Sequence, residues 1–177
     1  MWRYVLMIGL WCLARATHAQ TVDSAATKLM VSAEQVRASL DQTGQACDLS
    51  KSVTDSMRLA VVGSGSAPAS GAKALGTHWA REFAVLAKKA AAGGDAAKDA
   101  AATLEVNCVT AGNGINQLLP PLRQAVMTAK GLPNRTLDCV DAITKYQPQH
   151  DQMVNDVTAL AQACANKASE YNQLGAQ

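Results

Sequence analysis

Four cysteines carry the most definite chemistry in this chain: Cys47, Cys108, Cys139 and Cys164, with a fifth, Cys12, inside an apolar start. No Cys-x-x-Cys occurs and no close Cys/His cluster is present, so disulfides are favoured over zinc ligation or thiol redox catalysis. Asn134-Arg135-Thr136 is an N-x-Thr sequon next to Gly131 and Pro133, a glycan acceptor if the chain is exported. His78 and His150 belong to no metal-binding pair at helical spacing. No Gly-x-Ser-x-Gly elbow occurs, and Lys88-Lys89 and Asp151 to Asp156 read as solvated helix charges. Gly63-Ser64-Gly65 and Gly112-Asn113-Gly114 look like fragments of phosphate loops, but neither follows a strand and neither completes its motif. The chemistry read from the sequence is that of a non-enzyme without metal or cofactor.

The start of the chain sets the compartment. Arg3 precedes an apolar run, Val5 to Ala14, that is too short to span a bilayer, and Thr17-His18-Ala19 offers small residues for a signal peptidase. Residues 1–19 are read as a signal peptide and Gln20 as the mature N-terminus, with cleavage after Ala16 as the alternative. No later stretch reaches ~20 apolar residues, so no membrane span is expected after processing. The full chain has net charge +2; loss of Arg3 and Arg15 leaves fourteen basic against fourteen acidic side chains. A neutral chain is a poor match for nucleic acid or for anionic lipid. Loss of Cys12 leaves an even cysteine count, which in an exported protein points to two disulfides.

The elements that must position these groups are helical. Alanine dominates, strand-length β-branched runs are missing, and about 158 residues after the leader suffice for one domain with a core. His150, Val154, Val157, Ala161, Cys164, Ala168 and Tyr171 recur at steps of three and four, which places them on one helix face. Ala97, Ala101, Leu104, Cys108, Ala111, Ile115 and Leu118 do the same upstream. A first helix is expected from Asp23 or Ser24, with Ala26, Leu29, Ala33, Val36, Leu40 and Cys47 on its seam. The segment from Asp48 to Val62 is either a second helix or the bent continuation of the first. Residues 63–71 form a flexible Gly/Ser connector. Leu75, Trp79, Phe83, Leu86 and Ala90 make the next helix, which Gly93-Gly94 ends before Asp95 caps its successor. Pro120-Pro121 is expected to break that helix and Pro148 to interrupt the last one. The predicted fold is all-α: an antiparallel bundle of four to six helices, stapled by disulfides, in one domain over residues 20–177.

Four cysteines allow three pairings. If the segments flanking Pro148 form a hairpin, Cys139 lies about 13 Å and Cys164 about 24 Å from the bend at ~1.5 Å per residue. That difference of about 10 Å exceeds the ~7 Å Cα separation a disulfide tolerates. Two patterns survive, and Cys108–Cys164 with Cys47–Cys139 is expected because Cys108 and Cys164 both sit midway along helical seams.

The ending Cys164-Ala165-Asn166-Lys167-Ala168-Ser169-Glu170-Tyr171, with the spacing from Cys108 onward, resembles small secreted four-cysteine helical proteins of insects, the group of the tsetse EP-type domain. That resemblance implies an extracellular, non-enzymatic protein. Leu137-Asp138-Cys139-Val140 through Tyr146 is similar to a helix of plant invertase and pectin-methylesterase inhibitors, although the close N-terminal cysteine pair of that family is missing here. The sequence therefore leads to a secreted protein that works by binding an extracellular protein or its own copy. The alternatives are a carrier of an apolar ligand between helices, in a pocket lined by Trp79, Phe83, Leu86, Leu104 and Val157, or an enzyme inhibitor of bundle type.

Overall fold

The computed structural model of the chain describes residues 2–63, 71–132 and 135–177, with side chains from Val22 onward except that of Ala125. Among the described residues there are five α-helices and no strand: α1 (Trp2–Ala46), α2 (Lys51–Val62), α3 (Ala72–Ala90), α4 (Gly94–Gly131) and α5 (Leu137–Gly175). The all-α, disulfide-bearing bundle is the architecture of the molecule.

The bundle has four legs, the second of them split. Arg58 on α2 bonds Asp41 and Lys73 on α3 bonds Glu34, so α2 and then α3 climb back along α1. Lys89 near the end of α3 reaches Asp99 near the start of α4, which descends again. Cys47 joins Cys139 and Ser39 bonds Gln149, so α5 rises antiparallel to α1. The legs close a ring in which α1 and α4 each lie between α3 and α5. Gly63 and Gly71 abut, so the two stems of the connector meet; residues 64–70 themselves lie outside the described residues.

Helical seams place the core. Ala26, Leu29, Ala33, Val36 and Leu40 of α1 are fully buried, as are Ala97, Ala101, Leu104 and Ala111 of α4. Alanine on these seams lets backbones approach, and Gly76 carries this furthest: a Cβ there would lie 2.9 Å from the Ala26 carbonyl oxygen. Trp79, the largest fully buried side chain, fills the space that the small residues leave. Burying ~200 Å² of such a ring at ~25 cal/mol/Å² is worth about 5 kcal/mol. Among the described residues a second, smaller cluster has Cys47, Ala129, Cys139 and Ile143 as its buried members, with Leu49 and Leu132 packed against it.

Several helix boundaries differ from the sequence expectation. α1 runs in from Trp2, so Asp23 and Ser24 are interior and exposed; the span ahead of them holds one glycine and no proline to stop it. α1 and α2 are separate helices, divided by a tight reversal in which Asp48 takes φ 50°, a left-handed conformation that aspartate tolerates. Gly93, not Asp95, is the N-cap of α4, with Gly93 and Gly94 at φ 72° and 51°; Asp95 sits in the first turn. Pro120, Pro121 and Pro148 all lie inside continuous helices. Each removes one backbone N–H, leaving the carbonyls of Asn116, Gln117 and Thr144 without their usual donor. Such a cost of about 3 kcal/mol per proline is outweighed where both flanks of a long helix are held by packing. α5 starts instead at a cap the sequence reading missed, the Thr136 hydroxyl accepting from the Cys139 amide at 3.2 Å.

Candidate functional site

The structure joins Cys47 to Cys139 and Cys108 to Cys164, with Cα separations of 4.7 and 5.7 Å. The physical reason differs from the hairpin supposed above. Cys139 and Cys164 share one continuous helix, about 37 Å apart along it at ~1.5 Å per residue, so they cannot meet. Cys108–Cys164 ties α4 to α5 inside the main core, while Cys47–Cys139 ties the end of α1 to the start of α5. Asn134 lies outside the described residues, although Thr136 of the same sequon caps α5.

The residues expected to line an apolar pocket all belong to the packed core: Trp79, Phe83, Leu86, Leu104 and Val157 are each at least nine-tenths buried. They do not share one space. Cys164 approaches the Leu104 carbonyl at 3.6 Å, whereas Val157 lies seven residues earlier on α5, about 10 Å away along the helix. Val157 instead borders a void of about 10 Å³ with Ile115, Leu118, Leu119, Leu122, Met153 and Val154. A void of that size holds at most one water.

Polar groups in the interior are few. Asp156 is buried and accepts from Gln152 at 2.9 Å, so it is not one of the solvated charges the sequence suggested. Lys167 is 7% exposed, paired with Glu170 and 5.8 Å from the Tyr171 ring centroid. Tyr146 and His150 stack one turn apart with centroids 6.0 Å apart. His150 Nδ1 lies 2.9 Å from Asp151, while His150 Nε2 and the hydroxyls of Tyr146 and Tyr171 are buried with no partner among the described residues. Burial pushes the Tyr146 phenol well above its usual range, the Asp151 charge adding to it. Burial, then the charge of Glu170, pushes Tyr171 up to about 12. Near the surface, Arg37 and then Lys73 hold the Glu34 carboxyl down at about 2. Among the described residues no group of three His, Cys, Asp or Glu side chains could hold a metal ion, and no helix is long and apolar enough to cross a membrane.

Two open grooves mark the outside. One, of about 580 Å³, lies beside the Cys47–Cys139 end and is bordered by Lys130, Arg135, Val140, Thr144 and Asp151. The other, of about 440 Å³, runs along α4 past Asn116, Leu119, Pro120, Arg123 and Met127. It belongs to a longer surface. Residues 106–122 contain no charged side chain, and their exposed positions are Val106, Val109, Asn113, Asn116, Gln117, Pro120 and Pro121. Val106, Val109 and, just beyond, Met127 are 66%, 64% and 62% exposed. An uncharged strip of five helical turns with large apolar side chains turned to solvent has the composition of a contact surface, poor in charge and rich in apolar groups. The signal was present in the sequence as an uncharged run on a helix; which of its faces points outward became visible only once α3 and α5 were in place. Comparison of the chain with family models, with curated proteins and with solved structures returns no match.

Proposed function

We propose that this is an exported, non-enzymatic protein that works by binding another protein through the outer face of α4. The observation that carries the reading is the uncharged strip from Val106 to Leu122, with Val106 and Val109 each more than 60% exposed. Of the eight large apolar side chains exposed among the described residues, Val106, Val109 and Met127 share α4, while the others are spread over the remaining helices; apolar groups that share a face mark contact surfaces. The core supports binding from outside over carriage within, because the void bordered by Val157 measures only about 10 Å³. Two disulfides support export, since such bonds persist in oxidising compartments. On this reading the mature chain begins at Gln20 and, in a host that N-glycosylates, carries glycan on Asn134, both readable from the intact mass before and after deglycosylation.

A photoreactive residue in place of Asn113, in the middle of the strip, tests the reading in the source fluid. Cross-links to protein are expected there and not from the same group in place of Gln162, an exposed position on α5. Equal labelling from both positions would remove α4 as the binding face.

A further inference from the structure

We infer that the outer face of α4 is a two-fold self-association surface, on which a second copy of the chain lies antiparallel about an axis near Gly114. The inference rests on the reading of this face as an interaction surface and names its occupant.

The charges at the edges of the strip point to a second copy. Glu105 and Arg123 bracket the uncharged run, and both are exposed. They stand eighteen residues apart, five turns at ~3.6 residues per turn, so they lie on the same margin of the helix. Each is nine residues from Gly114, roughly 13 Å along the axis. A two-fold axis through that level keeps each margin on its own side and reverses the helix direction. Glu105 of one copy then meets Arg123 of the other, and the same pair forms again at the far end. Glu105 is held on that margin by the Asn172 amide, which donates to it at 2.9 Å. Arg123 makes no ion pair within the chain among the described residues.

The apolar parts match under the same operation. In this register Val109 of one copy lies level with Leu119 of the other, and Val106 falls at the level of the exposed Pro121, beside the buried Leu122. The exposed valines of one copy thus face the 440 Å³ groove bordered by Leu119, Pro120 and Met127 in its mate, and the reverse holds at once. Near the axis the Asn113 amides meet, each able both to donate and to accept. Gly112, whose Cβ position has no neighbour within 4 Å, leaves room for close approach. Uncharged surface meets uncharged surface, so no like charges oppose one another in the centre.

The area sets the strength. A strip of about 27 Å by ~10 Å buries roughly 500 Å² over both copies, well below the ~1,200 Å² of a stable interface. The dimer is therefore weak and reversible, and fills only at high micromolar concentration.

Sedimentation equilibrium of the purified chain from about 1 to about 500 µM tests this, with circular dichroism to show that each variant folds. The wild-type chain is expected to shift from monomer to dimer across that range. Glu105→Arg sets arginine against Arg123 twice and is expected to weaken the dimer at least ~10-fold; adding Arg123→Glu is expected to restore it to within ~3-fold. Val109→Arg is expected to leave a folded monomer. A wild-type chain that stays monomeric throughout, or a double variant no better than Glu105→Arg, overturns the self-association. Either result leaves the binding reading to the Asn113 cross-link in the source fluid, which would then report a different protein.

Discussion

The middle of the bundle and one of its ends are stapled alike and packed differently. Cys108–Cys164 lies within a core that takes residues from all five helices, with Cys164 fully buried. Cys47–Cys139 anchors a cluster in which, among the described residues, Ala129 and Ile143 join the two cysteines as buried members. The first bond ties helices that Trp79, Leu104 and Leu160 already hold together. The second supplies much of what holds its end, where few other buried side chains join it. A covalent bond can therefore be redundant in one region and decisive in another, although its chemistry is the same.

Chain entropy alone would not separate the two. Their sequence separations are 92 and 56 residues, and loops of that length place each bond at about 4–5 kcal/mol. The largest expected effect is thus loss of either pair to serine, read as a fall of that order in unfolding free energy by denaturant titration. If the loss is below about 1 kcal/mol for both pairs, the bonds restrain the unfolded chain far less than their loops require.

Core truncations sharpen the contrast. Trp79→Ala is expected to cost about 3–5 kcal/mol, because the many small neighbours cannot collapse into the space. Ile143→Ala, in the minor cluster, should fall at the low end of the range for such truncations, about 2 kcal/mol. Equal losses would remove the distinction between the two regions. Gly76→Ala comes next, at about 1–3 kcal/mol, since the added methyl would meet the Ala26 carbonyl oxygen at 2.9 Å and backbone cannot rotate away. Thermal melts of these variants, compared at matched concentration, check the order.

The smallest effect has the opposite sign. The Tyr146 hydroxyl is buried without a partner among the described residues, so Tyr146→Phe is expected to leave stability unchanged or raise it by up to ~1 kcal/mol. The same group gives a pH dependence. Tyr146 and Tyr171 hold their protons more tightly folded than the unfolded value near 10, so their contribution is complete below pH ~10 and is lost as pH rises beyond it, through about 12 for Tyr171. Tyr146→Phe should therefore make the alkaline decline shallower. A decline that is unchanged in the variant would place the titration elsewhere.

Much of the bundle was legible in the sequence because burial imposes a period. The seams through Leu29, Leu104 and Cys164 read directly as steps of three and four, and Gly93-Gly94 read as a turn. The prolines were misread for a physical reason. Local propensity sees a missing N–H at Pro120, Pro121 and Pro148, but it does not see the neighbouring helices that hold both flanks in line. The supposed hairpin at Pro148 led to the same cysteine pairs as the single continuous helix, since either geometry keeps Cys139 from Cys164. Trp79 and Phe83 announced an apolar wall, yet the sequence could not say whether space remained in front of it. The α4 face was the reverse case: its lack of charge was in plain view, and only the assembled bundle gave it a direction.

Peptide-resolved hydrogen exchange on the Cys47→Ser/Cys139→Ser and Cys108→Ser/Cys164→Ser variants bears most directly on the contrast between the two regions. Without Cys47–Cys139, amides from about Ala129 to Tyr146 and around Cys47 are expected to exchange well before the rest of the chain. Without Cys108–Cys164, protection should fall together across α3, α4 and α5, with no region released first. Uniform loss in both variants, or early release around Cys108 and Cys164, would contradict a bundle whose two disulfides serve unequal cores.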